Sequence, residues 1–253
     1  AITHHGHHIT AVSGDARLLT YGFNSESNAL EIEREIVANT DEIIGLTFVP
    51  DAQADAEEEN RAKELAAAEG DDDDEFHALT RPPKQMAVVT NSPTVRVFDP
   101  STMSCVGSLT GHSAVVLCVD SALANDGTAL IITGAKDHSV RLWNGATKAC
   151  VAVGEGHVGA VAAVAFPPKS SKRGAPFAVS GGADRVLRVW DIDGALRVAA
   201  EGDVDDAHEL HATAATVAHD KPLNGVAVAP HLRMVATCSS DKTAKLWKMP
   251  DLV

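Results

Sequence analysis

The sequence predicts an all-β fold: a propeller arc of about five four-stranded antiparallel blades, the last of them incomplete. Three observations predict it. The stretches Thr133–Asn144 (TGAKDHSVRLWN), Ser180–Asp191 (SGGADRVLRVWD) and Thr237–Lys248 (TCSSDKTAKLWK) each hold a Ser or Thr, an Asp four residues on and a Trp six beyond that. Each is preceded by a His after a small residue, at Gly111-His112, Gly156-His157 and Ala218-His219. The Trp residues lie 47 and 57 residues apart, the scale of one blade plus insertions, and self-similarity at such a period marks a repeat architecture.

The units follow in order. In residues 1–41, HHITAVSGD, RLLTYGF and LEIEREIVA form a degenerate blade, with Asp15 and Tyr21 at the right separation but Ala11 where the hydroxyl belongs. Its position suits the end of a first propeller. In 42–111, EIIGLTFVP, QMAVVTN, TVRVFDP and SCVGSLTGH form a second degenerate blade, with Phe98 in the Trp position and an acidic insertion at 51–80. The unit 112–156 is the clearest: AVVLCVD, ALIITGA, SVRLWN and ACVAVGE alternate with turn sequences such as ANDG and GATK. The unit 157–218 repeats it, with an insertion expected at 201–218, and the unit 219–253 stops after its third strand. Little in the chain reads as helix. A ring must close to cover its sheet edges, so the five units are expected to be an arc of a larger ring, with further sequence beyond Val253.

Composition limits the function. The net charge of −14 is concentrated in residues 51–75, which hold twelve acids against Arg61 and Lys63, so the rest of the chain is near −4. No apolar run approaches the ~20 residues of a membrane span, and the N-terminus lacks a basic region followed by an apolar one. Cys105, Cys118, Cys150 and Cys238 are widely spaced within apolar runs and are expected to be buried, unpaired thiols.

The repeated polar residues suggest a network. The Trp143 indole N–H needs an acceptor when buried. Thr133 on the adjacent strand supplies it and donates its own proton to His112, whose other ring nitrogen donates to Asp137. The same roles fall to His157, Ser180, Asp184 and Trp190, and to His219, Thr237, Asp241 and Trp247. A hydroxyl, an imidazole and a carboxylate are also the parts of a hydrolytic triad, but catalysis needs one exposed nucleophile beside oxyanion donors. Threefold repetition with the hydroxyl against an indole indicates a structural tetrad and no catalytic residue.

Other candidates are weaker. His4, His5, His7 and His8 could attract a transition metal, His5 and His7 sharing one face of a strand, but Gly6 suggests a turn and no carboxylate or Cys is close in sequence. No Gly-x-x-x-x-Gly-Lys phosphate loop occurs. Of ten aromatic residues, four occupy the Trp column or its Phe98 equivalent, which leaves few for stacking nucleic acid bases. Lys169, Lys172 and Arg173 form one small basic loop, and the acidic insertion reads as a solvated loop before it reads as a docking strip for a basic partner. The residues imply no cofactor and no metal.

This pattern resembles the WD-repeat (WD40) family, in which the His, Ser/Thr, Asp and Trp tetrad is structural. The literal Trp-Asp pair survives at Trp190-Asp191, whereas Asn144 and Lys248 follow the other two Trp residues. Within the family, five phrases in order resemble the tandem-propeller subunits of the small-subunit processome over about residues 42 to 250. The most specific is AHDKPLNGVAVAPHLRMVATCSSDKTAKLW. Pro222, the acidic insertion and the degenerate units depart from that pattern. The resemblance implies a non-enzymatic nucleolar scaffold for pre-ribosomal RNA processing. Its partners would be other WD-repeat processome proteins and, through them, the U3 small nucleolar ribonucleoprotein and pre-ribosomal RNA, with no membrane and no small-molecule substrate. The rival in the binding class is a substrate receptor of a cullin ubiquitin ligase. Such receptors often carry Arg two residues after Trp-Asp, where this chain has Ile192-Asp193.

Overall fold

Five sheets follow one another along the chain, each built on an antiparallel meander, with one short parallel strand added to the third. The structure, a computed structural model, describes residues 2–5, 8–12, 17–24, 29–37, 42–51, 84–168, 176–201, 207–229 and 234–248. The first sheet is β1 (Ile2–His5), β2 (His8–Val12), β3 (Arg17–Asn24) and β4 (Ala29–Val37). The second is β5 (Ile43–Val49), β6 (Gln85–Thr90), β7 (Val95–Phe98) and β8 (Cys105–Leu109). The third is β9 (Val116–Leu123), β10 (Ala129–Ala135), β11 (Val140–Asn144) and β12 (Cys150–Gly154). The fourth is β13 (Val161–Ala165), β14 (Phe177–Gly182), β15 (Val186–Asp191) and, after a connection, β17 (Ala212–Val217). The fifth is β18 (Leu223–Ala229), β19 (Met234–Ser239) and β20 (Ala244–Lys248). The first strand of each sheet packs against the first strand of the next, which arranges the sheets as consecutive blades of a partial β-propeller.

The third sheet is buried on both faces, and this explains its continuous apolar runs. Along β10, Leu130 and Ile132 point into the core shared with the fourth sheet, while Ile131 and Ala135 join the core shared with the second. Neighbouring residues of β11 divide in the same way: Trp143 packs back on Val95, Val97 and Leu109, and Leu142 packs forward on Val161 and Ala178. Close approach between blades restricts side-chain size. A Cβ on Gly134 would lie 2.5 Å from Val161 and 2.8 Å from the Cys118 sulfur, and one on Gly225 would lie 2.8 Å from the Cys238 sulfur. Cys118 faces Gly134 across β9 and β10, and Gly225 faces Cys238 across β18 and β19, the same pairing with the strands exchanged.

Three expectations are corrected. Of the four thiols expected to be buried, Cys105 and Cys238 are exposed. Cys105 begins an outer strand, and Cys238 faces the side of the fifth sheet that nothing among the described residues covers. The insertion expected at 201–218 spans 192–211 instead, because Ala212–Val217 is the fourth strand of its blade. Its small, exposed side chains gave no hydrophobic alternation to mark it. The insertion also contains a helix, α1 (Ile192–Glu201), in a chain that reads as nearly helix-free. Asp191 caps it by accepting the Gly194 N–H at 2.9 Å. Ile192, Ala195 and Leu210 then tuck into the core between the third and fourth sheets. The short β16 (His208–Glu209) adds in parallel to β12 and makes the third sheet five-stranded.

Of the histidine cluster, His5 and His8 pair across the β1–β2 hairpin. His7, Gly6, Asp15, Lys169, Lys172, Arg173 and residues 52–80 of the acidic insertion lie outside the described residues. Asp51 and Lys84, at the two described ends of that insertion, form an ion pair at 2.5 Å.

Candidate functional site

The recurrent residues come together as three nearly identical networks. In the third sheet the Trp143 indole N–H donates to Thr133 Oγ1 at 2.8 Å, Thr133 lies 2.8 Å from His112 Nε2, and His112 Nδ1 lies 2.8 Å from Asp137 Oδ2. In the fourth, Trp190 donates to Ser180 at 2.8 Å, Ser180 meets His157 Nε2 at 2.7 Å, and His157 Nδ1 meets Asp184 at 2.8 Å. In the fifth the corresponding distances for Trp247, Thr237, His219 and Asp241 are 2.9, 2.8 and 2.9 Å. The β-ladder fixes this repetition, since Trp143 pairs with Ile131, Trp190 with Ala178 and Trp247 with Val235, each two residues before the hydroxyl residue.

Donor and acceptor counting assigns each proton. The carboxylate accepts only, so Nδ1–H donates to it; neutral Nε2 must accept, so the hydroxyl donates to Nε2 and accepts the indole N–H. Electrostatics agree. Burial pushes the His112 and His157 pKa values down, against the opposing pull of Asp137 and Asp184, so the rings are held neutral. Burial alone would raise Asp137, but hydrogen bonds from Ser139, His112 and the Ser113 N–H outweigh it and bring the carboxyl down to about 2. Asp184 and Asp241 are lowered as well, Asp241 chiefly by the Thr243 hydroxyl.

The order hydroxyl, imidazole, carboxylate is that of a hydrolytic triad, and what it lacks is access. Thr133 and Ser180 are 0% exposed and Thr237 is 2% exposed. Each oxygen spends a lone pair on an indole N–H. No substrate carbonyl can reach an atom so enclosed. What the network does is fix four chain segments, namely the loop before the first strand, the second strand, the following turn and the third strand. Among the described residues no three His, Cys, Asp or Glu side chains are grouped to hold a metal, and no helix is long and apolar enough to cross a membrane.

Two sets of participants escaped the sequence reading. Ser139 and Thr243, two residues after the Asp, add hydroxyl donors to Asp137 and Asp241 at 2.7 and 2.6 Å. The basic residue two before each Trp also reaches the loop that carries its own blade's His. Arg188 donates to Gly156 O at 2.6 Å and Lys245 to Ala218 O at 2.8 Å, each the carbonyl just before its histidine. Arg141 sits against Gly111 and donates to Cys150 Sγ at 3.7 Å. The recurrence of Arg or Lys, any residue, then Trp was the available signal. His138, Arg185 and Lys242 take positive φ in the turn after the Asp, a geometry that Asp carboxylates stabilise by accepting the N–H two residues on.

Comparison with known proteins places these networks. The family described as WD domain, G-beta repeat (WD40) matches residues 103–144, 148–191 and 212–248, the segments that carry the three networks. Transducin beta-like protein 3 of Bos taurus is 37% identical over 168 residues, covering 65% of this chain and 20% of the relative. The Rattus norvegicus protein of the same name is 28% identical over 245 residues, covering 96% of this chain and 25% of the relative. U3 small nucleolar RNA-associated protein 13 of Saccharomyces cerevisiae is 29% identical over 177 residues, 65% of this chain and 21% of the relative. The chain thus spans a quarter or less of the length of these relatives.

Proposed function

We propose that this chain, three segments of which match the WD domain, G-beta repeat (WD40) family, is a non-catalytic scaffold segment in nucleolar ribosome assembly, within the small-subunit processome. The observation that carries the reading is the similarity of 96% of the chain to one named relative, joined by a second relative whose name records association with U3 small nucleolar RNA. On this reading the blades at 1–41, 42–111, 112–156, 157–218 and 219–253 are rigid supports. The tetrads of His112, His157 and His219 brace three of them, and the connecting loops and faces bind. Partners are other WD-repeat processome proteins, which link the chain to the U3 ribonucleoprotein and pre-ribosomal RNA, in the nucleolus. Enclosure of all three hydroxyls supports a role without catalysis. Rigid blades suit such work because a preorganised surface loses little conformational entropy on binding.

The test is affinity purification of the tagged full-length protein from nuclear extract, with sequencing of bound RNA and identification of bound proteins. U3 RNA and processome subunits should be enriched over a control WD40 protein. Their absence from an otherwise intact preparation would overturn the reading.

A further inference from the structure

The end of the blades that holds the tetrad histidines carries basic residues at a fixed repeat. In the turn between the second and third strands of each of the last three sheets, the residue after the tetrad Asp is basic: His138, Arg185 and Lys242. Each is exposed and held at positive φ, 70°, 68° and 69°, while the Asp carboxylate accepts the N–H two residues on. The network that braces a blade thus also fixes the backbone that carries the basic side chain.

Packing between blades joins these turns into one surface. A Cβ on Gly134, beside the first turn, would lie 2.5 Å from Val161 at the start of the fourth sheet, and one on Gly181, beside the second turn, 2.9 Å from Leu223 at the start of the fifth. Each turn therefore sits against the loop that enters the next blade. Those loops contribute Val158, which is 81% exposed, and Lys221, also exposed. The order along the arc is His138, Val158, Arg185, Lys221, Lys242.

The cations of this row are unpaired, whereas the carboxylates beside them are engaged. Among the described residues the side chains of Arg185, Lys221 and Lys242 make no hydrogen bond or ion pair. Asp137, Asp184 and Asp241 are enclosed in the tetrads, their side chains 9%, 2% and 11% exposed. A partner approaching the row meets these cations, together with Glu155 and Asp220 on the entering loops.

We infer that this row docks an extended acidic segment of a partner protein, its carboxylates on Arg185, Lys221 and Lys242 and an apolar side chain on Val158. RNA, the other common polyanion, fits less well. Glu155 and Asp220 would repel a continuous phosphate backbone, and the turns and entering loops at this end of the last three sheets contain no Phe, Tyr or Trp on which bases stack. Each tetrad Asp lies close to its neighbouring cation and cancels it at long range, so the row acts by contact, without steering. Packed sheets lie about 10 Å apart and an extended chain rises about 3.3 Å per residue, which sets the partner's acids roughly three or four residues apart. The inference deepens the scaffold reading and rests on it for the presence of a partner.

Fluorescence anisotropy with the full-length protein tests this, the probe being a labelled peptide with glutamate at every fourth position, serine between and one leucine near an end. The peptide should bind, more weakly as salt rises, and a peptide of serine alone should not. Arg185→Asn combined with Lys242→Asn removes two charges while suiting positions of positive φ, which Asn tolerates. Affinity should then fall by about tenfold at unchanged melting temperature, and Arg185→Lys combined with Lys242→Arg should keep it. Lys221→Gln, at a position of ordinary φ, should cost about threefold and serves if the Asn pair does not fold. No binding of the glutamate peptide, equal binding by the Asn pair, or tighter binding of oligouridylate of the same length would overturn the inference. Peptide failure beside intact U3 enrichment strikes this surface alone, whereas absent U3 enrichment beside intact peptide binding strikes the assembly reading alone.

Discussion

The third and fifth sheets contain the same hydrogen-bonded tetrad in nearly the same geometry, yet their third strands lie in different surroundings. In β11, Leu142 is fully buried and Trp143 is 1% exposed; in β20, Leu246 is 69% exposed and Trp247 is only partly buried. The cause is position in the arc. Trp143 and Trp247 both face the preceding sheet, but Leu142 faces the fourth sheet, whereas nothing among the described residues lies beyond Leu246. The tetrad is therefore a device internal to one blade, while the apolar core is shared between two blades.

The most severe test of this difference is removal of the indoles. Trp143→Ala should cost about 3–5 kcal/mol in urea unfolding, from lost contacts and the cavity left behind. Trp247→Ala should cost about half as much, since part of its surface already meets water, and equal costs would contradict the division between network and core. Next come the hydroxyls, where the two sheets should behave alike. Thr133→Ala and Thr237→Ala each leave a buried indole N–H and a histidine nitrogen without partners, for about 1–3 kcal/mol apiece. The Ser variant at either position should retain most of the stability, because Ser180 serves in the fourth sheet.

A third test concerns a bond between sheets that the fifth lacks. Asp120, opposite Ile132, accepts the Phe166 N–H of the next blade at 2.7 Å; the matching residue of β18, opposite Ala236, is Ala227. Burial of Asp120 pushes its carboxyl up to about 6, only partly offset by bonds from the Phe166 and Ser121 N–H groups. A folded-state pKa above the unfolded one means that stability is fully present below the unfolded value near 3.9 and is lost as pH rises through about 6. Relative to the unsubstituted protein, Asp120→Asn should therefore gain about 1–2 kcal/mol between pH 4 and pH 7.5 in thermal melts, and should be the less stable of the two at pH 4, because the amide offers one acceptor oxygen where the Ser121 and Phe166 N–H groups use both of the carboxyl's. His112 and His157 act in the opposite direction. Their lowered pKa values keep stability above the unfolded value near 6.5 and remove it as pH falls below that, so a pH series on the Asn variant isolates their effect. The smallest effect belongs to Leu246→Ser, expected within about 0.5 kcal/mol as for other exposed sites. A large loss there would mean that Leu246 is covered in solution.

Much of this was legible in the residues. The tetrads follow from side-chain types at fixed offsets, because a buried indole, a neutral imidazole and a carboxylate admit one closed pattern of donors and acceptors. The blades followed from short apolar strands between turn residues. The helix α1 and strand β17 were missed for physical reasons. Gly194 within IDGALRVAAE weakens its helical signal, and ATAATV has neither bulk nor alternation because neither of its faces is deeply buried. The exposure of Cys105 and Cys238 was missed because an apolar run indicates a strand without telling which neighbour covers it.

The sequence by itself determined the repeat, the residues of each network and the proton on each nitrogen, since these depend on chemistry within a few strands of one blade. Only the tertiary structure decided which faces are covered and where the 192–211 connection lies. Those outcomes depend on how blades pack against one another, and packing is set by neighbours distant in the chain, which no local pattern specifies.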